Sequence, residues 1–198
     1  MHSDVWPFDR FARLYDLCMP GVDREKLARG LGEATRPIER VLDIGGGPGR
    51  ALEAVEAPVR VVVDPAAGMV RQARANGFGA VRADGARLPV RAASVDVVLV
   101  TDALHHIGDQ GGLLGEAARA LRPGGVLVVR EFDPSTRRGW ALARAEHLIG
   151  FDSVFHSPDQ LASMIGAAGL APSVVERGFG YTVTGYAESG SSKSGASQ

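Results

Sequence analysis

The sequence predicts an α/β fold with a mostly parallel sheet, and three observations carry that prediction. A short apolar strand, a glycine-rich turn and a helical pattern follow one another within residues 41–55, which read VLDIGGGPGRALEAV. Further apolar segments alternate with helical patterns along the chain, as in folds built from repeated strand–helix units. Finally, Val97–Val100 is continuously apolar, which is typical of a parallel strand covered by helices on both faces.

Composition fits one globular domain and excludes several other classes. The 198 residues are 45% hydrophobic and 23% charged, which is enough apolar material for a sizeable core. A formal net charge of −1 gives no general electrostatic reason to bind nucleic acid or an anionic membrane. No apolar run approaches the ~18–20 residues of a membrane span, and the N-terminus lacks a secretory signal. A single cysteine, Cys18, excludes an intramolecular disulfide, so we expect a cytoplasmic protein.

The glycine-rich turn discriminates between nucleotide ligands. Glycine accepts positive φ and lets a ligand approach the backbone, and the following helix offers N–H groups of partly positive charge. The dinucleotide fingerprint G-x-G-x-x-G fails in every register, because arginine, leucine or alanine stands where its last glycine belongs. An NAD-dependent oxidoreductase is therefore disfavoured. The pattern is instead Asp43-x-Gly45-x-Gly47-x-Gly49, with an acid inside the strand.

The next two strands each end beside an acidic residue. Val59–Val63 is predicted as the second strand and ends at Asp64-Pro65. An acid at the end of this strand, about 20 residues after the first, can accept hydrogen bonds from ribose hydroxyls. The third strand, Gly79–Arg82, precedes Asp84-Gly85, a pair that fits either a ligand contact or a structural turn.

The middle of the chain continues this alternation. Ser94–Val100 is predicted as the fourth strand, and TDALHHI follows it at residues 101–107. A helix over Gly111–Leu121, a tight turn over residues 122–125 (RPGG) and a fifth strand over Val126–Phe132 come next.

Both ends of the chain have looser patterns. Aromatic residues at positions 8, 11 and 15 predict an N-terminal amphipathic helix, and Asp23 can cap a second helix that ends near Ala34. Beyond Pro134 we expect helices over Arg138–Ile149 and from Ser157 to Gly169. Two strands, Val174–Glu176 and Tyr181–Thr184, follow them. Residues 187–198 are rich in serine and glycine and are expected to be disordered.

In this order the segments resemble the class I S-adenosylmethionine (SAM) methyltransferases, in the small-molecule subgroup that contains quinone-ring C-methyltransferases. The resemblance runs from about Asp9 to Asp133. It rests on five similar pieces: F-D-x-x-A-x-x-Y-D, D-x-G-x-G-x-G, D-G-A-x-L-P, L-H-H and L-R-P-G-G-x-L. Val95 replaces the usual aromatic residue of the fourth strand. The resemblance implies a Rossmann-like, doubly wound, mostly parallel seven-stranded sheet with a C-terminal antiparallel strand. This sheet belongs to a single domain over residues 1–186, with a helical cap over 1–36.

The resemblance also implies SAM as the cofactor and a small molecule as the methyl acceptor. The glycine turn packs against the amino-acid end of SAM, and a tyrosine of the N-terminal segment lies over the ligand. The second-strand acid binds the ribose, and the acid after the third strand binds the adenine amino group. The implied cofactor-binding residues are Tyr15, Asp43, Gly45, Gly46, Gly47, Gly49, Asp64, Pro65, Asp84, Gly85, Thr101 and Asp102.

The candidate catalytic residues are His105 and His106, which follow the fourth strand where an open α/β sheet binds its ligand. Either one can act as a general base, or both can be packing and surface residues. No metal site is expected, since His147 and His156 lack a second ligand one helical turn away. Glu131 and Asp133 face either the acceptor pocket or solvent. An aromatic and histidine cluster either lines a pocket for a flat acceptor or forms the core of a lid; its members are Trp140, His147, Phe151, Phe155 and His156.

The predicted function is methyl transfer from SAM to a quinone-like or other flat, apolar metabolite. The alternative is an inactive module that binds SAM or S-adenosylhomocysteine and serves as a structural or regulatory partner. Methylation of nucleic acid is disfavoured by the net charge and by TDAL at 101–104, where such enzymes carry an Asn-Pro-Pro-Tyr-like sequence. The sequence leaves the acceptor atom and the oligomeric state open.

Overall fold

The structure is a computed structural model that describes residues 24–148 and 150–188. Its seven strands form one sheet. The strands are β1 Arg40–Ile44, β2 Val59–Asp64, β3 Gly79–Arg82, β4 Val95–Thr101, β5 Leu121–Phe132, β6 Ala171–Glu176 and β7 Gly180–Tyr186. Their order across the sheet is β3-β2-β1-β4-β5-β7-β6.

The described helices connect these strands, and two of them begin at a side chain that caps the helix. They are α1 Arg24–Leu31, α2 Arg50–Glu53, α3 Ala67–Ala75, α4 Gln110–Ala120, α5 Arg137–Leu148 and α6 Pro158–Ala167, with a short 3-10 helix over Leu104–His106. The Asp109 side chain accepts a hydrogen bond from the Gly112 N–H at the start of α4. Ser157 and Gln160 form a reciprocal capping box at the start of α6, which satisfies two backbone donors.

The strand directions confirm the predicted fold class. β1 pairs in parallel with β2 and β4, and the pairs β2–β3 and β4–β5 are also parallel. β7 is antiparallel to both of its neighbours, β5 and β6. The strand order reverses between β1 and β4, and in open α/β sheets ligands bind at such a switch point, beyond the carboxyl ends of the strands.

The apolar run of β4, Val97–Val100, packs on both faces, as its sequence predicts. Val98 and Val100 belong to the core cluster that includes Leu113 of α4. Val97 and Leu99 belong to the opposite cluster, which includes residues of α2 and α3. All four β4 residues are fully buried, and burial of a side chain of this size contributes about 1.5–3 kcal/mol. The sheet therefore lies between two apolar layers.

Several predicted boundaries are wrong, and β6, for example, begins at Ala171 rather than at Val174. β5 begins at Leu121 rather than at Val126, because Leu121 pairs with Val95 of β4. The backbone of the predicted turn is also held by β7, since the Gly124 N–H donates to the Ala187 carbonyl over 2.8 Å. Gly124 keeps the left-handed conformation of a turn, with φ of +82°.

Several predictions fall outside the described residues. The N-terminal helix with Tyr15 and the Asp23 cap lies there, as does the tail after residue 188. The division into one domain, a helical cap and a tail therefore stays a prediction. Each helix in the described part of the chain is too short or too polar to cross a bilayer.

Candidate functional site

The glycine loop, residues 45–49, leaves β1 with three residues in the left-handed conformation that only glycine adopts easily. The angle φ is +67° at Gly45, +54° at Gly47 and +93° at Gly49. A Cβ atom at Gly45 would lie 2.7 Å from the Cβ of Ala103, and one at Gly46 would overlap the carboxylate of Asp43. The sequence pattern thus reflects close packing of backbone against β1 and the segment after β4.

Asp43 lies under this loop as a buried acid without a hydrogen-bond partner in the described part of the chain. Its side chain is fully buried, and among the described residues neither carboxylate oxygen has a donor. Burial, with a smaller contribution from the charge of Asp64, raises the pKa of Asp43 to about 8. A buried, unpaired carboxylate is costly, so a cationic ligand group such as the α-ammonium of SAM fits this position.

Asp64 anchors the glycine loop to the end of β2. Its Oδ2 accepts a hydrogen bond from the Gly47 N–H over 3.0 Å, and its Oδ1 accepts one from the Ala66 N–H over 2.8 Å. Each carboxylate oxygen can accept a second hydrogen bond. Asp64 therefore holds the loop at the end of β2, and its contact with a ribose hydroxyl stays a prediction.

The other predicted SAM contacts after β2 and β3 form local turns. The Pro65 carbonyl accepts a hydrogen bond from Arg82 Nε over 2.8 Å. Asp84 is exposed, and its Oδ1 accepts from the Ala86 N–H over 2.9 Å. The neighbouring Gly85 is buried, and a Cβ there would lie 2.8 Å from Ile44 of β1. These residues lie at the carboxyl edge of the sheet, and their roles toward adenine stay predictions.

Asp102 turns the chain sharply after β4 ends at Thr101. It is a non-glycine residue with φ of +50°, a conformation that costs free energy and is typical of functional sites. Its N–H donates to the Arg130 carbonyl, and its Oδ2 accepts from the Arg130 guanidinium over 2.8 Å. Burial raises the pKa of Asp102 to about 6 even though Arg130 opposes that change. The turn directs the following 3-10 helix across the end of β5.

That 3-10 helix places His105 between two carboxylates. Its Nδ1 lies 2.7 Å from Oε2 of Glu131 at the end of β5, and its Nε2 lies 3.7 Å from Oε1 of Glu146 on α5. The ring stacks on Phe155 with 4.4 Å between centroids. Burial lowers the pKa of His105, but the carboxylates of Glu131 and Glu146 outweigh burial and raise it above its usual value.

His106 lies beside His105 in a different electrostatic environment. Its Nδ1 is 3.2 Å from the Ser153 hydroxyl, and its ring centroid is 5.3 Å from that of Phe151. Burial, with a smaller effect of His105, lowers the pKa of His106 to about 3. His106 is therefore neutral at physiological pH.

The predicted aromatic and histidine cluster divides into separate parts. Phe151 and Phe155 pack on the paired histidines, whereas Trp140 is 62% exposed and lies beneath the Arg144 guanidinium. His147 is exposed. His156 Nε2 lies 2.7 Å from Oε1 of Gln110.

Sequence reasoning missed Glu146 and left the orientation of Glu131 open. Glu131 ends a strand that neighbours β4, so its proximity to the histidines follows from parallel pairing once the strand order is known. Glu146 approaches His105 only because α5 packs there, and it has no motif of its own. We refer to His105, His106, Glu131 and Glu146 as the histidine cluster.

Comparison with known proteins agrees with this geometry. A family model described as a methyltransferase domain matches residues 42–129. The demethylmenaquinone methyltransferase of Mycobacterium sp. (strain KMS) is 36% identical over 161 residues, which cover 75% of this chain and 67% of that protein. A solved SAM-dependent methyltransferase from Thermotoga maritima has a TM-score of 0.75 at 20% identity and covers 93% of this chain and 100% of its own. A solved complex that contains SAM has a TM-score of 0.67 at 23% identity. The match covers 92% of this chain and 95% of the chain in that complex.

Proposed function

The chain belongs to the family of SAM-dependent methyltransferases with this domain, and we propose that its methyl acceptor is a quinone-class ring in the reduced, hydroxyl-bearing form. The observation that carries the proposal is the 36% identity with a demethylmenaquinone methyltransferase over 75% of the chain. A quinone is electron-poor, and an electrophilic methyl group needs an electron-rich partner. The reduced ring, with its hydroxyl groups, meets that need.

Each predicted cofactor-binding residue would contact a different part of SAM. Asp43 would bind the ammonium group, the glycine loop would admit the amino-acid end, and Asp64 would accept from a ribose hydroxyl. When bound, SAM supplies a methyl group on a sulfonium, which leaves as S-adenosylhomocysteine while an electron pair of the acceptor forms the new bond. Asp84 and Gly85 would contact the adenine, and Tyr15 stays a predicted contact outside the described residues.

The ring that accepts the methyl group would bind at the histidine cluster. His105 and His106 follow β4, next to the point where the strand order reverses. The aromatic faces of Phe151 and Phe155 at these histidines suit a flat ring, since offset aromatic pairs attract one another. Thr101 and Asp102 lie just before the histidines and would orient them or contact the methionine part of SAM. We propose His105 and His106 as the residues that act on the acceptor.

Release of S-adenosylhomocysteine from the purified protein tests this function. Chemically reduced demethylmenaquinone with a short side chain should give turnover, and the oxidised form should give none. His105→Ala and His106→Ala should bind SAM like the parent and lose about 10²–10⁴-fold in rate, the range for loss of a group that handles a proton. Tight SAM binding without turnover on any electron-rich ring would instead support the inactive binding module.

A further inference from the structure

We propose that His105, His106 and Glu146 bind one divalent transition-metal ion, Zn²⁺ in the first instance, at the acceptor end of the cleft. Each of the three residues offers one ligand atom, and these atoms all lie within 4.8 Å of one another. They come from two separate parts of the fold, the 3-10 helix after β4 and α5. Binding of the ion is argued from these residues alone, while its chemical role rests on the proposed function.

Glu131 prepares His105 as a metal ligand. A carboxylate only accepts hydrogen bonds, so the 2.7 Å contact places the ring proton on Nδ1. The lone pair then lies on Nε2, which faces Glu146. Histidine ligands of metals commonly donate their second ring N–H to a carboxylate, which fixes the tautomer and raises ligand basicity.

Glu146 is the second independent indication of a cation. Its Oε2 is buried and has no hydrogen-bond partner among the residues that the structure describes. Its Oε1 lies 3.7 Å from His105 Nε2, which is longer than a hydrogen bond. Buried polar atoms normally have a partner, and a metal ion between Glu146 and His105 would provide one.

The charges around the cluster also favour a divalent ion. Three largely buried carboxylates, those of Asp102, Glu131 and Glu146, meet here, and Arg130 is the cation that pairs with Asp102. Buried charges are stable only when they are paired. A bound dication would pair with these carboxylates, and His106 would complete the ligand set.

The donor atoms select the class of metal. Two imidazole nitrogens and one carboxylate oxygen form a ligand set typical of Zn²⁺ sites that keep one position open for water or substrate. Mg²⁺ and Ca²⁺ prefer all-oxygen sites, so we expect selectivity for a transition metal. The histidines would then assist proton loss from the acceptor as ligands of the ion.

The open position fits a hydroxyl oxygen of the reduced ring. An oxygen bound to Zn²⁺ loses its proton far more readily than a free one, and that proton passes to solvent. The ionised ring then donates an electron pair to form the carbon–methyl bond, and the methylated carbon releases its own proton to restore aromaticity. No electron is exchanged with the metal.

Metal titration of the untagged, full-length protein tests the site. After treatment with a chelator, the parent should bind one Zn²⁺ per chain by calorimetry, and Co²⁺ should give the intense visible absorption of a four-coordinate ion. His106→Ala and Glu146→Gln should each bind Zn²⁺ at least tenfold more weakly. Glu131→Gln should bind Zn²⁺ about 10–100-fold more weakly, as is typical when a residue that orients a metal ligand is replaced. SAM affinity and circular dichroism should be unchanged in all of them.

His147→Ala is the matched control, because His147 is exposed and adjoins Glu146 on α5. This variant should bind Zn²⁺ like the parent. Absence of binding by the parent, or an equal loss in His147→Ala and His106→Ala, would overturn the metal site. Methyl transfer at an unchanged rate after chelation would overturn the chemical role. Stoichiometric metal binding without turnover on any reduced quinone would support the site and overturn the proposed acceptor instead.

Discussion

The Asp64 carboxylate accepts a hydrogen bond from the backbone N–H of Gly47 over 3.0 Å. This contact joins the end of β2 to the glycine loop and fixes the loop where SAM would bind. Asp64 thus has a structural task that its position in the sequence does not reveal, because the sequence suggests only a partner for ribose. The contact leads to the first prediction.

Asp64→Ala should weaken SAM binding by roughly 1–3 kcal/mol, the cost of unmade hydrogen bonds to a charged group. It should also lower the free energy of unfolding without ligand, because two buried N–H groups, those of Gly47 and Ala66, lose their acceptor. Asp64→Asn should lose less SAM affinity and less free energy of unfolding than Asp64→Ala, since one acceptor oxygen remains. Calorimetry with SAM and chemical denaturation measure the two effects. A change in SAM affinity below a few tenths of a kcal/mol in Asp64→Ala would show that this acid does not support the ligand.

Gly47→Val should abolish SAM binding while the fold is retained. The nearest described atom to an added Cβ is Met69 Sδ at 3.6 Å, so the described residues leave room for it. The penalty within them is the left-handed backbone, about 1–2 kcal/mol. Gly77→Val is the matched control, because Gly77 is also left-handed, with φ of +88°, and has no described atom within 4 Å of its added Cβ. A folded Gly47→Val variant that binds SAM like the control would contradict the site assignment.

Gly45→Val should behave differently from Gly47→Val. Its Cβ would lie 2.7 Å from Ala103, so we expect a loss of both SAM binding and thermal stability. Differential scanning fluorimetry of the two variants without SAM separates strain within the protein from obstruction of the ligand. Equal melting temperatures for the two would argue against the close packing of Gly45 on Ala103.

SAM affinity should rise with pH below about 8 because of Asp43. Its pKa is raised from 3.8 to about 8 in the ligand-free fold, and a bound ammonium group favours the ionised acid, so binding releases a proton. The raised pKa also means that the contribution of Asp43 to stability is fully present below about pH 3.8 and is lost as the pH rises through about 8. Asp43→Asn should bind SAM more weakly. In this variant, SAM affinity and the free energy of unfolding should both depend less on pH between about pH 6 and about pH 7.5. A parental affinity that is independent of pH in this range would contradict the pairing of Asp43 with the ammonium group.

Gln110→Ala should destabilise the acceptor side without an equal effect on SAM. The Gln110 amide donates to the carbonyls of Leu104 and Val154, over 3.1 and 2.9 Å, and its oxygen lies 2.7 Å from His156 Nε2. Loss of these partly buried contacts should cost about 1–3 kcal/mol of unfolding free energy and raise the KM for the acceptor. Gln160→Ala, an exposed capping residue, serves as the comparison and should leave that KM unchanged.

The fold and the conformation of the glycine loop could be predicted because their signals are local, whereas the contacts of this loop with SAM stay predictions. The left-handed glycines after β1 are required by backbone geometry within a few residues, and the apolar run of β4 reflects burial on both faces. The start of β5 could not be predicted, because the pairing of Leu121 with Val95 and the bonds from Gly124 to Ala187 are tertiary contacts that override the turn pattern.

The surroundings of the two histidines could not be predicted from the sequence for a related reason. His105 and His106 follow a strand in the expected place, but their electrostatic environment comes from Glu131 and Glu146 on other elements. The same histidine pair therefore contains one residue with a raised pKa and one with a lowered pKa. Only the packing of α5 and the segment that contains Phe155 reveals this difference.

Transfer of an isotopically labelled methyl group tests the central claim most directly. The protein is incubated with SAM carrying a deuterated methyl group and with chemically reduced demethylmenaquinone, and both products are followed by mass spectrometry. The expected result is a ring product that carries one intact labelled methyl group, formed in equal amount with S-adenosylhomocysteine and lost in His105→Ala. Binding of SAM without any labelled product from this ring or other electron-rich rings would contradict the account.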